Sequence, residues 1–167
     1  MAIRNIVKRG DEALTKICRP VEKFDARLRS LLEDMANTMY KAEGVGLAAP
    51  QVGILRRMFV VDVGEGLIEC VNPEFIEKEG EQDSIEGCLS CPDILGLVKR
   101  PQSVTLRALD RFGKEFTLSA DGFLATALCH EYDHLDGKTI YETAEKMLTK
   151  EQYEEYIASL EKEKEEE

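Results

Sequence analysis

Apolar residues spaced three or four positions apart predict the first helix of the chain. The members of this stripe are Leu28, Leu31, Leu32, Met35 and Met39. Asp25 precedes the stripe at an N-cap position, and the pattern stops at Gly44. We therefore expect an N-terminal helix between Asp25 and Gly44.

From Arg57 to about Leu118 the apolar residues occur in short runs, among them MFVVDV, LIECV and the alternating SVTLRAL. Turn-forming residues separate these runs at Gly64, Gly66, Asn72, Pro73, Gly80 and the DRFG sequence of 110–113. Short strands joined by tight turns are typical of antiparallel pairing. This region therefore predicts a mostly antiparallel sheet.

Two further helical patterns follow the sheet region. The segment FLATALCHEYDHL begins after Asp121-Gly122 and ends before Gly137. Because its apolar residues lie on more than one side, it predicts a buried helix. Nearer the C-terminus, Thr149 and Gln152 fit a capping box. The stripe after this box consists of Tyr153, Tyr156, Ile157 and Leu160, and we expect this helix to pack on the body of the protein.

The acidic sequence EKEKEEE, at about 161–167, has no apolar face, and we expect it to fray in solvent. The order helix, strands, helix, helix indicates an α+β fold. No repeat or flexible linker divides the 167 residues, so we expect a single domain over 1–167.

Charge and composition limit the classes of partner that the protein can bind. With 22 Lys+Arg against 33 Asp+Glu the net charge is -11, which opposes binding to nucleic acid or anionic membrane. The start MAIRNIVKRGDEAL lacks the apolar segment of a signal peptide, and MFVVDV is too short to span a bilayer. Five scattered cysteines suit a reducing compartment. We expect a cytoplasmic protein without nucleic acid or membrane partners.

Both histidines of the chain lie in the sequence HEYDH. On a helix, His130 and His134 share one face about 6 Å apart along the axis, so both can reach one metal ion. Glu131 completes the pattern H-E-x-x-H, in which the glutamate is a base for the attacking water and not a ligand. The alternative is a buried helix whose histidines bind local polar groups.

A catalytic ion of this kind usually needs a third protein ligand. The segment EGCLSCPD, at 86–93, offers Cys88 and Cys91 in a turn between strands, whereas we interpret the other cysteines as core residues. A closed, structural Cys2His2 site with both thiols is the alternative. The long separation of the two halves and the presence of Glu131 favour the catalytic site.

The segment EGVGLAAPQVG, at 43–53, is rich in glycine and alanine. Such a segment lets another backbone approach closely, so an extended peptide can add to it as a strand. Taken alone, the segment fits a tight loop packed on the core better.

The three segments together resemble the peptide deformylases. The motifs GVGLAAPQ (44–51), EGCLS (86–90) and HEYDH (130–134) occur in that family's order and at similar spacing, and the resemblance covers nearly the whole chain. It implies mostly antiparallel sheets around a central buried HExxH helix, with an N-terminal helix and a C-terminal helix of the bacterial type I kind. It also implies a metallohydrolase that removes the formyl group from formylmethionyl peptides of newly made proteins and releases formate.

The resemblance implies residue roles as well. The implied metal ligands are Cys88, His130 and His134. Glu131 would be the general acid and base, and Gln51 with the backbone N–H of Leu89 would stabilise the oxyanion. The family implies one divalent ion, with Fe(II) as the native metal, although Zn(II), Ni(II) and Co(II) suit the same ligands.

For the substrate we expect an apolar pocket for the methionine side chain and backbone contacts with the peptide. The expected substrate-binding residues are Val45, Gly46, Gly87, Phe123, Thr126 and Ala127. Glu86 and Arg100 match charged positions of that family, so the resemblance implies that they pair beneath the site, with a surface position for both as the alternative. Asp133 is expected either to orient a ligand imidazole or to face solvent.

Two departures from the family pattern bear on function. Cys91 stands where the family usually has an aliphatic residue. The tail at 161–167 has five glutamates and two lysines, which opposes the docking of a basic C-terminal helix on the ribosome. The expected partners are formylmethionyl nascent peptides, with at most a transient ribosome encounter. A general HExxH metallopeptidase and a zinc-clipped binding protein are the alternatives.

Overall fold

A computed structural model describes residues 2–166, which form α-helices and two antiparallel sheets. The helices are α1 (Ala26–Lys41), α2 (Gly122–Leu135), α3 (Ile140–Thr143) and α4 (Lys150–Glu166). The strands are β1 (Gly46–Ala48), β2 (Met58–Val61), β3 (Ile68–Glu79), β4 (Gln82–Cys88), β5 (Cys91–Arg100), β6 (Ser103–Leu109), β7 (Glu115–Asp121) and β8 (Lys146–Thr149). Short 3-10 turns occupy Glu12–Thr15 and Ala49–Val52.

The strands form a five-stranded sheet in the order β1-β2-β3-β6-β7 and a three-stranded sheet in the order β4-β5-β8. All pairs within the two sheets are antiparallel. β1 and β4 each lie at the edge of their sheet. The predicted α+β fold with antiparallel sheets is confirmed.

α1 follows the sequence pattern closely. The Asp25 carboxylate accepts a hydrogen bond of 3.0 Å from the backbone N–H of Leu28, as an N-cap does. The helix buries most of the predicted stripe, with Leu31 partly buried, against the strands β1 and β2. The predicted N-terminal helix is confirmed.

α2 is the buried helix at the centre of the protein. Ala125, Leu128 and Leu135 are fully buried in the core. The helix ends before Gly137, which has a φ of +76° and lies so close to Thr15 that a Cβ would be 2.6 Å from the Thr15 carbonyl oxygen. A glycine is therefore required here, and α2 ends at Leu135, one residue after the second histidine.

α4 begins where the sequence predicts but packs less closely than expected. The Thr149 N–H donates to Gln152 Oε1 over 2.9 Å, and the Gln152 N–H donates to Thr149 Oγ1 over 3.2 Å, which completes the capping box. The helix contacts β5 and β8, but none of the residues in Lys150–Glu166 is buried, and Leu160 is 38% exposed. α4 therefore packs on the body of the protein only in part.

Residues 161–166, for which we expect fraying, form the last turns of α4, and the final residue of this predicted tail, 167, lies outside the described residues. Glutamate and lysine are strong helix formers, and Lys162 and Glu166 stand four positions apart, where opposite charges attract. An apolar face is thus needed to bury a helix and not to form one. Within residues 2–166, no helix is both long enough and apolar enough to cross a membrane.

Candidate active site

The structure brings Cys88, His130 and His134 together in one cluster. One ligand atom from each lies within 4.8 Å of the others, and His134 Nε2 is 3.4 Å from Cys88 Sγ. Cys88 ends the edge strand β4, and both histidines come from α2. In residues 2–166 this is the only cluster of three or more histidine, cysteine or acidic ligand atoms that can hold a metal ion.

The donor set fits a divalent transition metal. A thiolate and two imidazoles suit ions of the zinc and iron type, and three protein ligands leave one coordination position open. Among the described residues, Cys91 is outside the cluster. The closed Cys2His2 alternative is therefore not assembled in this structure.

A charged network lies behind His130 and consists of Glu86, Arg100 and Asp133. His130 Nδ1 is 2.9 Å from Glu86 Oε1. Arg100 donates two hydrogen bonds to the Glu86 carboxylate, of 2.9 and 2.7 Å. The expected pair of Glu86 with Arg100 is thus present and buried.

Glu86 selects the nitrogen of His130 that remains free. Burial opposes ionisation of Glu86, but the hydrogen bonds from Arg100 and His130 outweigh it and lower its pKa to about 2. An ionised carboxylate only accepts hydrogen bonds, so the proton of His130 sits on Nδ1. Nε2 is then available for a metal ion.

Asp133 was expected either to orient a ligand imidazole or to face solvent, and the structure shows a third arrangement. Its carboxylate accepts a hydrogen bond of 2.6 Å from Arg100 Nη1. The acceptor for the imidazole is Glu86 instead. Arg100 comes from the end of β5 and engages Asp133 directly, which the spacing of His130 and Asp133 along α2 does not reveal.

Glu131 is buried beside the cluster. Burial raises the pKa of its carboxyl to about 7. Within the described residues, Glu131 Oε1 has no hydrogen-bond partner. A Cβ on Gly46 would lie 2.3 Å from Glu131 Oε2, so a glycine in β1 is required for the carboxyl to occupy this position. A carboxyl that titrates near neutral pH can both accept and return a proton.

Gln51 is held in one orientation next to the cluster. Its Oε1 accepts a hydrogen bond of 3.0 Å from the backbone N–H of Ala48. Its Nε2 donates to Ser90 Oγ over 3.1 Å and lies 3.7 Å from Cys88 Sγ. The Gln51 amide nitrogen thus donates to Ser90 and also faces Cys88.

A cleft of about 390 Å³ is bordered by Gln51, Glu86, Cys88, His130 and Glu131. All six residues expected to contact substrate line the cleft: Val45, Gly46, Gly87, Phe123, Thr126 and Ala127. Phe123, which is 61% exposed, presents an apolar surface to it. Leu89 lies in the turn between β4 and β5 and lines the cleft too.

Comparison with known proteins identifies the family. The sequence model of the family described as Polypeptide deformylase matches residues 3–150. A peptide deformylase of Acetivibrio thermocellus is 57% identical over 137 residues, which cover 82% of this chain and 81% of the relative. One from Caldicellulosiruptor bescii is 53% identical over 154 residues, covering 92% of this chain and 93% of the relative.

The chain belongs to the peptide deformylase family. Solved structures agree with this assignment. A peptide deformylase from Legionella pneumophila matches with a TM-score of 0.83 and 44% identity, over 98% of this chain and 96% of that chain. One from Thermotoga maritima matches with a TM-score of 0.86 and 38% identity, over 87% of this chain and 100% of that chain.

As a peptide deformylase, the protein is a hydrolase that removes the N-terminal formyl group from nascent peptides. The family depends on a metal ion, and the Cys88, His130 and His134 cluster is a possible site for it. The prediction of a deformylase is confirmed, in preference to a general metallopeptidase or a zinc-clipped binding protein.

Sequence reasoning missed two features of this deformylase site. Ile85 lines the cleft and is 39% exposed, and it stands two positions from Gly87 in β4. Since residues two apart in a strand tend to share a face, the prediction of Gly87 as a substrate contact pointed to Ile85 too. Glu86 was expected to pair with Arg100, but its bond to His130 was not foreseen. Glu86 stands two positions from Cys88, and its carboxylate reaches His130.

Proposed function

We propose that Cys88, His130 and His134 hold one divalent ion and that Glu131 moves the proton during deformylation. The observation that carries the proposal is the approach of the three ligand atoms to within 4.8 Å of one another. The buried Glu131 carboxyl next to them, at the cleft, supports its role as acid and base.

A divalent ion in such a site supplies Lewis acidity, which polarises a carbonyl and makes water a stronger nucleophile at neutral pH. Glu131 accepts the proton of the attacking water. It then delivers this proton to the departing nitrogen, because an amide nitrogen does not leave as an anion. The pKa of about 7 at Glu131 suits both transfers. Formate and a free amino terminus are the products.

Gln51 and the backbone N–H of Leu89 stabilise the charge that develops on the formyl oxygen. The bonds of Gln51 Oε1 to Ala48 and of Nε2 to Ser90 support this role, because they orient the donor before substrate binds. One such donor is typically worth about 3 kcal/mol, or roughly a hundredfold in rate.

The cleft selects the substrate through shape and backbone pairing. Gly46 in β1 and Gly87 in β4 belong to edge strands that border the cleft, so an extended peptide can add its backbone to them. The methionine side chain occupies the apolar part of the cleft, near Phe123, Ala127 and Ile85. Thr126 and Val45 complete this surface.

We propose Fe(II) as the native metal, with Zn(II), Ni(II) and Co(II) able to occupy the same ligands. A thiolate-ligated Fe(II) reacts with dioxygen, so protein purified in air should lose activity that nickel or cobalt restores. Full zinc-dependent activity after aerobic purification would contradict iron.

We propose a cytoplasmic location, because formylmethionyl peptides arise there during synthesis.

The net charge of -11 and the acidic α4 oppose docking on ribosomal RNA. Any encounter with the ribosome is therefore transient and does not rely on this helix.

The reaction is tested with formyl-Met-Ala-Ser as substrate. The metal-loaded protein should release formate and leave the peptide bonds intact. Acetyl-Met-Ala-Ser should react far more slowly, because its extra methyl group misplaces the carbonyl carbon. Cleavage of internal peptide bonds, or equal rates with both peptides, would contradict the proposed site.

The ligand set is tested with a matched pair of variants. Cys88→Ser should lose activity and most of its bound metal, whereas Cys91→Ser should keep both, because only Cys88 belongs to the cluster. Metal content and formate release are measured on both variants. Equal loss from the two would remove the support for Cys88 as the ligand.

A further inference from the structure

Cys88 and Cys91 form a thiol pair at the end of the β4–β5 hairpin. They stand directly opposite each other in the antiparallel register and are joined by the turn of Leu89 and Ser90. Directly opposed residues have Cα atoms about 4.5–5.5 Å apart. A disulfide usually requires about 4.4–6.8 Å.

The two thiols differ in their access to solvent. Cys88 is half-buried and lines the cleft, so a small reagent can reach it. Cys91 is 3% exposed and does not line the cleft. The other cysteines, Cys18, Cys70 and Cys129, are buried among apolar residues of the core.

We propose that Cys88 and Cys91 are an oxidative modification site, which closes to a disulfide when hydrogen peroxide reaches the metal-free protein. The peroxide O–O bond breaks as Cys88 sulfur gains an oxygen, which yields a sulfenic acid and one water. The Cys91 thiol then attacks the Cys88 sulfur, the S–O bond breaks, and a second water leaves. Peroxide is the oxidant, and the two thiols are the reductant.

The disulfide has two consequences for the site. It occupies the Cys88 sulfur, so the cluster retains only its two imidazoles until a thiol reductant reopens it. It also stops the oxidation of Cys88 before the irreversible sulfinic and sulfonic acids. This part of the inference rests on the proposed role of Cys88 as a ligand, whereas formation of the disulfide does not.

The test uses the full chain, stripped of metal with a chelator and then treated with hydrogen peroxide. Free thiols are alkylated, and peptides are analysed by mass spectrometry before and after reduction. We expect Cys88 and Cys91 to resist alkylation together, with a peptide mass lower by two hydrogens, and to become alkylated after reduction. Oxidation of Cys88 with Cys91 still open to alkylation would overturn the proposal.

Zinc ions provide the second readout. After peroxide and reductant, the wild-type chain should recover its zinc binding. Cys91→Ser and Cys91→Val should show a lasting loss, with Cys88 found as sulfinic or sulfonic acid. Recovery by both variants equal to the wild type would also overturn the proposal. A disulfide that forms without loss of zinc binding would support the modification site and overturn the ligand set instead.

Discussion

Two groups of buried polar side chains around α2 differ in their hydrogen bonding. In the charged network, Glu86, Arg100 and Asp133 each have a charged partner at 2.6–2.9 Å. In the second group, Glu131 Oε1 and His134 Nδ1 are buried without a hydrogen-bond partner among the described residues. The network fixes the orientation of His130, whereas these two atoms of the second group are not held by hydrogen bonds.

The two buried glutamates, Glu86 and Glu131, differ in pKa for the same reason. Hydrogen bonds from Arg100 and His130 lower the pKa of Glu86 to about 2, although burial acts against ionisation. Burial raises the pKa of Glu131 to about 7. Partners therefore decide whether a buried carboxyl stays ionised or titrates near neutral pH.

The largest effect is expected from removing the centre of the charged network. Arg100→Met leaves Glu86 and Asp133 without their shared partner, and breaking such a buried pair typically costs about 3–5 kcal/mol of stability. Urea unfolding of the variant measures this loss.

Arg107→Met is the matched control for Arg100→Met. Arg107 pairs with Glu74 at the surface, where both side chains are more than one third exposed. An exposed pair contributes at most about 1 kcal/mol. Similar small losses from the two arginine variants would contradict the distinction between the network and the surface.

The next largest effect is expected from a change at Glu131. Glu131→Gln should lower formate release at least about 100-fold, because the amide cannot carry the proton. Its thermal stability should not fall, since no partner of Glu131 Oε1 is lost. Metal content should also persist. A variant with near-normal turnover would remove Glu131 from the mechanism.

The smallest effect is expected on metal affinity, which should distinguish the two carboxylates of the network. Glu86→Gln weakens the acceptor of His130, and changes at such positions typically cost about 10–100-fold in metal affinity. Asp133→Asn, which touches Arg100 and not the imidazole, should leave the affinity nearly unchanged. Competition with a chelator for zinc measures both. An equal loss from the two variants would show that the network acts only as a whole.

The helices at the two ends of the chain show how far the sequence predicts the fold. The stripe of α1 and its Asp25 cap predicted both its bounds and its burial. The capping box of α4 predicted its start, but its stripe stays partly exposed and its acidic end remains helical to Glu166. Local patterns predict helix formation well, whereas the burial of a helix depends on whether the rest of the fold offers a surface on which it can pack.

The sequence by itself determined the local chemistry of the site. One turn of helix sets the shared face of His130 and His134, and Glu131 follows from the same spacing, so no distant contact is needed to predict them. Gln51 was likewise predicted from a local motif, because it ends the short segment 44–51.

Only the tertiary structure decided which distant groups meet these residues. The sequence left Cys88 and Cys91 as alternatives on their residues alone, and the fold brings Cys88 into the cluster. It also decided that Glu86, and not Asp133, accepts from His130. Contacts between β4, β5 and α2 depend on strand register and on the packing of the helix, and neither is encoded in the spacing of residues along one element.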